Sequence, residues 1–160
     1  MRVGKRFSSA CNQIIINSCV IEWATEIRYV GVYLRSGRTL KFNQDESKKK
    51  FYRCSNSILS KTGNKPDVVL SLCQCYCIPV LLYGVEAMCL TKTEKQRLAS
   101  PFTKLFIKLF YVTDSYNIAL CQYYMSYLPL HYVIDKRTLK FLLTCNTINN
   151  VVLNILLSCT

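Results

Sequence analysis

Apolar and polar positions change rhythm near residue 43. Before it, Gln13 to Ile16, Val20 to Trp23 and Ile27 to Leu34 are rich in β-branched and aromatic residues, separated by short polar breaks at Asn17-Ser18 and Ala24-Thr25. This pattern predicts a small antiparallel β meander over about residues 13–34, with Ser36-Gly37-Arg38 closing it. From Asn43 onward the period lengthens to that of a helix. Over Asp45 to Ser60, Phe51, Cys54, Ser55 and Ile58 share one side, and Lys49, Arg53, Asn56 and Ser60 share the opposite one. Asp45 and Glu46 fall in the first turn, where the helix dipole favours acids, and Gly63-Asn64-Lys65-Pro66 ends the helix.

A second, mostly apolar helix is predicted from Asp67 to Cys77, and Pro79 starts or kinks a third running through Val85 toward Cys89. Thr91-Lys92-Thr93-Glu94 matches a capping box, so a fourth helix begins there and runs toward Val112. On it, Leu98, Phe102, Leu105 and Leu109 form the predicted buried stripe, while Arg97, Lys104, Lys108 and Tyr111 form a second stripe on another face. Pro101 should bend this helix or split off its first turns. Further helices are predicted near Ser115 to Met125 and Val133 to Leu157. The fold class is therefore α+β: a small β meander followed by a mostly α-helical bundle. Three segments result: strands over 1–42, helices over 43–112, and C-terminal helices of unassigned role over 113–160.

Charge is unevenly distributed along the 160 residues. Residues 1–65 carry 13 Lys and Arg against 4 acids, a net of +9, whereas residues 66–160 carry 8 against 5, a net of +3. A basic domain of this kind suits a polyanion, either nucleic acid or an anionic surface, with a basic face kept for solubility as the plain alternative. The ten cysteines are irregularly spaced, and no signal-peptide pattern opens the chain. They are read as reduced, intracellular and mostly buried. Cys73-x-Cys75-x-Cys77 does not read as a metal site, because on a helix positions i and i+4 share a face while i+2 points away. His131 reads as a helix-start or partly buried residue. The long uncharged stretches Val68 to Val85 and Phe141 to Thr160 are broken by Pro79 and by several Asn residues, which favours buried helices over membrane spans.

Four motifs together resemble the region that follows the catalytic motifs in reverse transcriptases of non-LTR (LINE-type) retrotransposons. Gly4, Arg6, Phe7 and Cys11 match a Gly-x-Arg-Phe-x-x-x-Cys pattern. Tyr29, Gly31 and Val32 match a Tyr-Leu-Gly-Val turn, the primer grip, with Val30 where leucine is usual. Lys49, Lys50, Phe51, Tyr52, Arg53, Asn56 and Ile58 match a Lys-Lys-x-Phe-Tyr-Arg-like helix. Pro79, Leu81, Leu82, Tyr83, Gly84 and Glu86 match a Pro-x-Leu-Leu-Tyr-Gly-x-Glu element, the most specific of the four. On the residues alone, Gly31 reads equally as an ordinary β-bulge or as a site of close backbone approach.

The resemblance implies a palm edge over 1–42 and a thumb over 43–112 that grip an RNA template and RNA/DNA hybrid through phosphates and the minor groove. It implies nucleic-acid contacts at Tyr29, Gly31, Lys48, Lys49, Lys50, Arg53, Arg97, Lys104 and Lys108. In such enzymes two adjacent aspartates and a third upstream hold Mg2+. Here Asp45, Asp67, Asp114 and Asp135 are the only aspartates, and no two are adjacent. The expectation is a truncated reverse-transcriptase segment, cytoplasmic or nuclear. It has no catalytic residue, metal ligand or cofactor of its own, and Mg2+ would belong to a missing upstream palm segment, itself a possible partner. Two other readings stay open: part of a longer, active RNA-directed DNA polymerase, and a basic membrane-associated helical protein.

Overall fold

The computed structural model describes residues 1–9, 11–63 and 65–148. The chain divides into two compact units, Met1–Glu46 and Ser47–Thr160. In the first, β1 (Ile14–Ile16) pairs antiparallel with β2 (Cys19–Ile21) as a separate two-stranded hairpin. Its loop is Asn17-Ser18, both at positive φ. A three-stranded antiparallel meander follows, β3 (Glu26–Tyr29), β4 (Val32–Arg35) and β5 (Lys41–Asn43), in the order β3-β4-β5.

The meander therefore covers residues 26–43 rather than 13–34, for two reasons. The segment Ile27 to Leu34, expected as one strand, folds back on itself at Val30-Gly31, with Tyr29 opposite Val32. Both turn residues have positive φ, 46° for Val30 and 80° for Gly31, as a two-residue hairpin turn matched to strand twist demands. The third strand, Lys41-Phe42-Asn43, is too short and too polar to announce itself. It is held by its register, Leu34 against Phe42, and by Asn43 Nδ2 donating to Glu26 Oε1 at 2.7 Å.

The second unit contains the buried core. Helix α1 (Asp45–Thr62) buries Phe51 and Ser55 and half-buries Cys54 and Ile58, the face expected from the period. After it the chain is helical without a break from Pro66 to Leu81. Helix α2 (Pro66–Leu72) opens into one π-helical turn at Cys73–Cys77 and closes again as α3 (Ile78–Leu81). Here the Ile78 N–H bonds to the Cys73 carbonyl, five residues back. Pro79 explains the location: its ring crowds the carbonyl four residues earlier and it has no N–H to give, so the wider turn yields where the ladder is already interrupted. Pro79 thus stands in the first turn of α3, which follows the π-helical turn without a break and ends at Leu81, short of the expected Val85. Leu82 caps the run, and Gly84 at φ 71° leads into a 3-10 turn at Val85–Ala87.

Helix α4 (Lys92–Phe110) starts at the expected capping box. Thr91 Oγ1 accepts from the Glu94 N–H at 3.3 Å, and Glu94 Oε2 accepts from the Thr91 N–H at 2.8 Å. The helix is continuous through Pro101, which does not split it. Leu98, Phe102, Leu105 and Leu109 are all buried, and Phe106 and Pro101 join them. Helix α5 (Ser115–Tyr124) is capped by Asp114, and α6 (Leu130–Thr147) packs Leu130, Ile134 and Cys145 inward. The helix expected to run to Leu157 ends at Thr147, where Ile148 takes extended backbone, and residues beyond 148 lie outside the described ones. Phe51, Leu70, Cys73, Cys77, Leu81 and Leu82 share one cluster with the α4 stripe, Ile118 and Ile134. Among the described residues, no helix is long and apolar enough to cross a membrane.

Candidate nucleic-acid interface

Helix geometry sorts the expected contacts on α1. At about 100° per residue, Lys49, Arg53, Asn56 and Ser60 fall in one strip, with Lys48 and Lys50 set off to either side. Lys49, Lys50 and Arg53 are exposed, whereas Lys48 is half-buried. Asp45, one turn before Lys49, lies on the same strip, and from Ser47 to Lys65 the sequence has no further acid.

On α4, Arg97, Lys104 and Lys108 lie within a strip about 40° wide, and all three are exposed. The only acid of that helix, Glu94, is engaged in the cap. The two strips meet where Lys108 Nζ donates to Asn56 Oδ1 at 3.1 Å. Beneath this bond runs a narrow seam lined by Tyr52, Ser55, Leu59, Pro101, Lys104 and Leu105. A buried proline at the seam lets α1 approach α4 without a long side chain between them, which leaves the lysines at its rim.

Other basic residues are engaged differently. Lys95 is paired with Asp135, and Arg137 Nη1 with Glu86 Oε1 at 3.1 Å, with a longer bond to the Leu82 carbonyl at 3.4 Å. Among the described residues, no salt bridge engages Arg53, Arg97, Lys104 or Lys108. A phosphate approaching these four would not first have to displace a carboxylate.

The remaining expected contacts belong to the first unit. Tyr29 is 67 % exposed at the end of β3, and Gly31 is the second residue of the hairpin turn. The glycine is required there by its left-handed backbone, and it lies in a turn rather than a bulge. Val30 beside it holds φ 46°, a conformation that a β-branched residue adopts only at a cost.

The aspartates have local roles. Asp114 Oδ2 accepts from the Tyr116 and Asn117 N–H groups at 3.1 Å each, Asp135 pairs with Lys95, and Asp67 lies in the first turn of α2. Cys73 and Cys77 are buried while Cys75 is exposed, the i, i+4 arrangement expected. Burial pushes both buried thiols above the usual range, and the neighbouring Cys54 and Cys73 sulfurs add to this at Cys77. Such thiols behave as small hydrophobes. His131 is an exposed residue at the start of α6, its ring 4.1 Å from that of Tyr132.

Sequence reasoning placed Asn56 in the basic strip but missed its bond to Lys108, and it missed the Glu86–Arg137 pair. Both join residues more than fifty positions apart, for which local periodicity carries no signal. No protein-family model matches the chain, and neither a curated protein nor a solved structure matches it.

Proposed function

We propose that this chain is a nucleic-acid-binding segment of reverse-transcriptase type, whose α1 and α4 hold an RNA template and RNA/DNA hybrid by their phosphates. The observation that carries this reading is the Lys108–Asn56 bond, which joins two basic helix faces into one surface. A polyanion spanning that seam would meet Lys49 and Arg53 on one helix and Arg97, Lys104 and Lys108 on the other. Binding of this kind is driven by counterion release and is largely indifferent to sequence. In this reading the β3–β4 turn at Tyr29 to Val32 contacts the primer, the protein works in a reducing compartment, and the carboxylates that clamp Mg2+ come from a polymerase segment upstream.

The deciding experiment replaces Lys49, Arg53, Lys104 and Lys108 by Gln. Hybrid affinity should fall about equally across sequences, and the slope of log affinity against log salt should flatten by roughly one unit per lost phosphate contact. The melting temperature should stay near the parent's. An unchanged salt slope in the folded variant removes these residues from the interface.

A further inference from the structure

Helix α6 and the turn that follows α3 form an open groove of about 580 Å³. On α6 it is lined by Arg137, Lys140, Phe141 and Thr144, whose spacing of three and four residues puts them on one face of the helix. Glu86 and Ala87 line it from the turn. A bare anion needs far less room, and this volume is that of a small-molecule site. The lining shares no residue with the α1–α4 seam.

Of the two cations, Arg137 is held in place by Glu86 at 3.1 Å and by the Leu82 carbonyl at 3.4 Å, both through Nη1. Among the described residues no hydrogen bond engages its Nε or Nη2, so the rest of the fork remains to be used. Lys140 lies about one turn further along, exposed, and among the described residues no salt bridge engages it. Glu86 offsets one of these charges, Asp135 is taken by Lys95, and from Lys136 to Thr160 the sequence has no acid. One positive charge is therefore left over at the groove. A carboxylate has two oxygens, which an arginine fork alone would occupy, whereas a phosphate monoester offers three and can meet guanidinium and ammonium together.

The remaining lining describes the body of the ligand. Phe141, 40 % exposed, gives a flat apolar wall beside the cations, against which a planar ring can stack. Thr144 Oγ1 donates to the Lys140 carbonyl at 2.8 Å, so its oxygen is left to accept a hydrogen bond, as from a sugar hydroxyl.

We propose that this groove binds a nucleoside monophosphate, its phosphate on Arg137 and Lys140 and its base on Phe141. A free nucleotide and the 5′-phosphorylated end of a strand offer the same chemistry, and the test separates them. The inference stands apart from the α1–α4 binding reading.

The test is calorimetric titration of the full chain with AMP. Adenosine and inorganic phosphate should each bind at least about tenfold more weakly than AMP, because each reaches only half of the groove. Lys140→Gln and Phe141→Ala should each weaken AMP binding about tenfold, whereas Phe141→Tyr should bind like the parent. Ala87→Leu fills the groove without changing its charge, and should abolish AMP binding while the melting temperature and hybrid affinity stay at the parent's. Displacement of AMP by a 5′-phosphorylated tetranucleotide assigns the groove to strand ends, and failure to displace it assigns the groove to free nucleotides. No binding of AMP at millimolar concentration, AMP bound no better than inorganic phosphate, or parent-like affinity in folded Lys140→Gln or Ala87→Leu overturns the assignment. Loss of the α1–α4 reading, with hybrid binding absent and AMP binding intact, would leave this one standing.

Discussion

Lys108 on α4 donates a hydrogen bond to Asn56 on α1 at 3.1 Å, and both side chains stand at the rim of the seam between the two helices. The bond places an uncharged acceptor at the centre of an otherwise cationic surface. Its chemistry can therefore be altered without touching the core.

Asn56→Asp uses that property. The new carboxylate can pair with Lys108, so the melting temperature should remain at or slightly above the parent's. Phosphate binding should nevertheless weaken, because the lysine is neutralised and a negative charge now faces the ligand. The salt slope should drop by about one unit. Titrations of an RNA/DNA hybrid at several salt concentrations check this, and unchanged affinity would place the nucleic acid elsewhere.

Phe51 has no exposed surface and sits among the core residues of the second unit. Phe51→Asp buries an unpaired charge and should destabilise the fold by roughly 3–5 kcal/mol. Denaturant melts of this variant beside the conservative Phe51→Leu measure the difference. Parent-like melting of Phe51→Asp would mean that α1 buries another face.

Glu86 and Arg137 join the turn after α3 to α6, and both side chains are partly exposed, 28 % and 35 %. The pair should consequently be worth little, with a coupling of about 0.5 kcal/mol in a double-mutant cycle. Arg137→Ala alone should cost more than Glu86→Ala, because Arg137 also reaches the Leu82 carbonyl. Equal costs would show that the backbone contact contributes nothing.

Burial holds the Cys73 and Cys77 thiols above their ordinary value of 9.0. The folded state therefore keeps them neutral at a pH where the unfolded chain ionises them. Their contribution to stability is complete below that ordinary value and is lost as pH rises above it, by at most about 1.4 kcal/mol per thiol per pH unit. Melting temperatures measured from about pH 8 to 10 should fall less steeply for the Cys73→Val, Cys77→Val double variant than for the parent.

The helices were the legible part of this fold. An apolar stripe such as Leu98, Phe102, Leu105 and Leu109 repeats within a single element, and the Thr91–Glu94 box closes within four residues, so both can be read locally. The first unit was harder. Val30-Gly31 lacks the Asn-Gly composition that usually marks a two-residue turn, and β5 is recognisable only once Leu34 has been placed opposite it. For the interface, the two basic strips were visible separately. Their meeting at Asn56 and Lys108 was not, because it depends on how α1 and α4 pack rather than on either sequence segment.

The π-helical turn at Cys73–Cys77 also affects how this chain would tolerate a change of length. One residue beyond the α-helical count is absorbed there, which keeps Val69 and Leu70 before the turn in phase with Ile78, Leu81 and Leu82 after it. Loss of a residue such as Cys75 could be taken up by tightening that turn, whereas loss of one between Phe51 and Ser55 would rotate the rest of α1 by about 100° relative to its first turns. Two homologous chains of this architecture could thus differ by a single-residue gap in mid-helix and still present the same leucines to the same core.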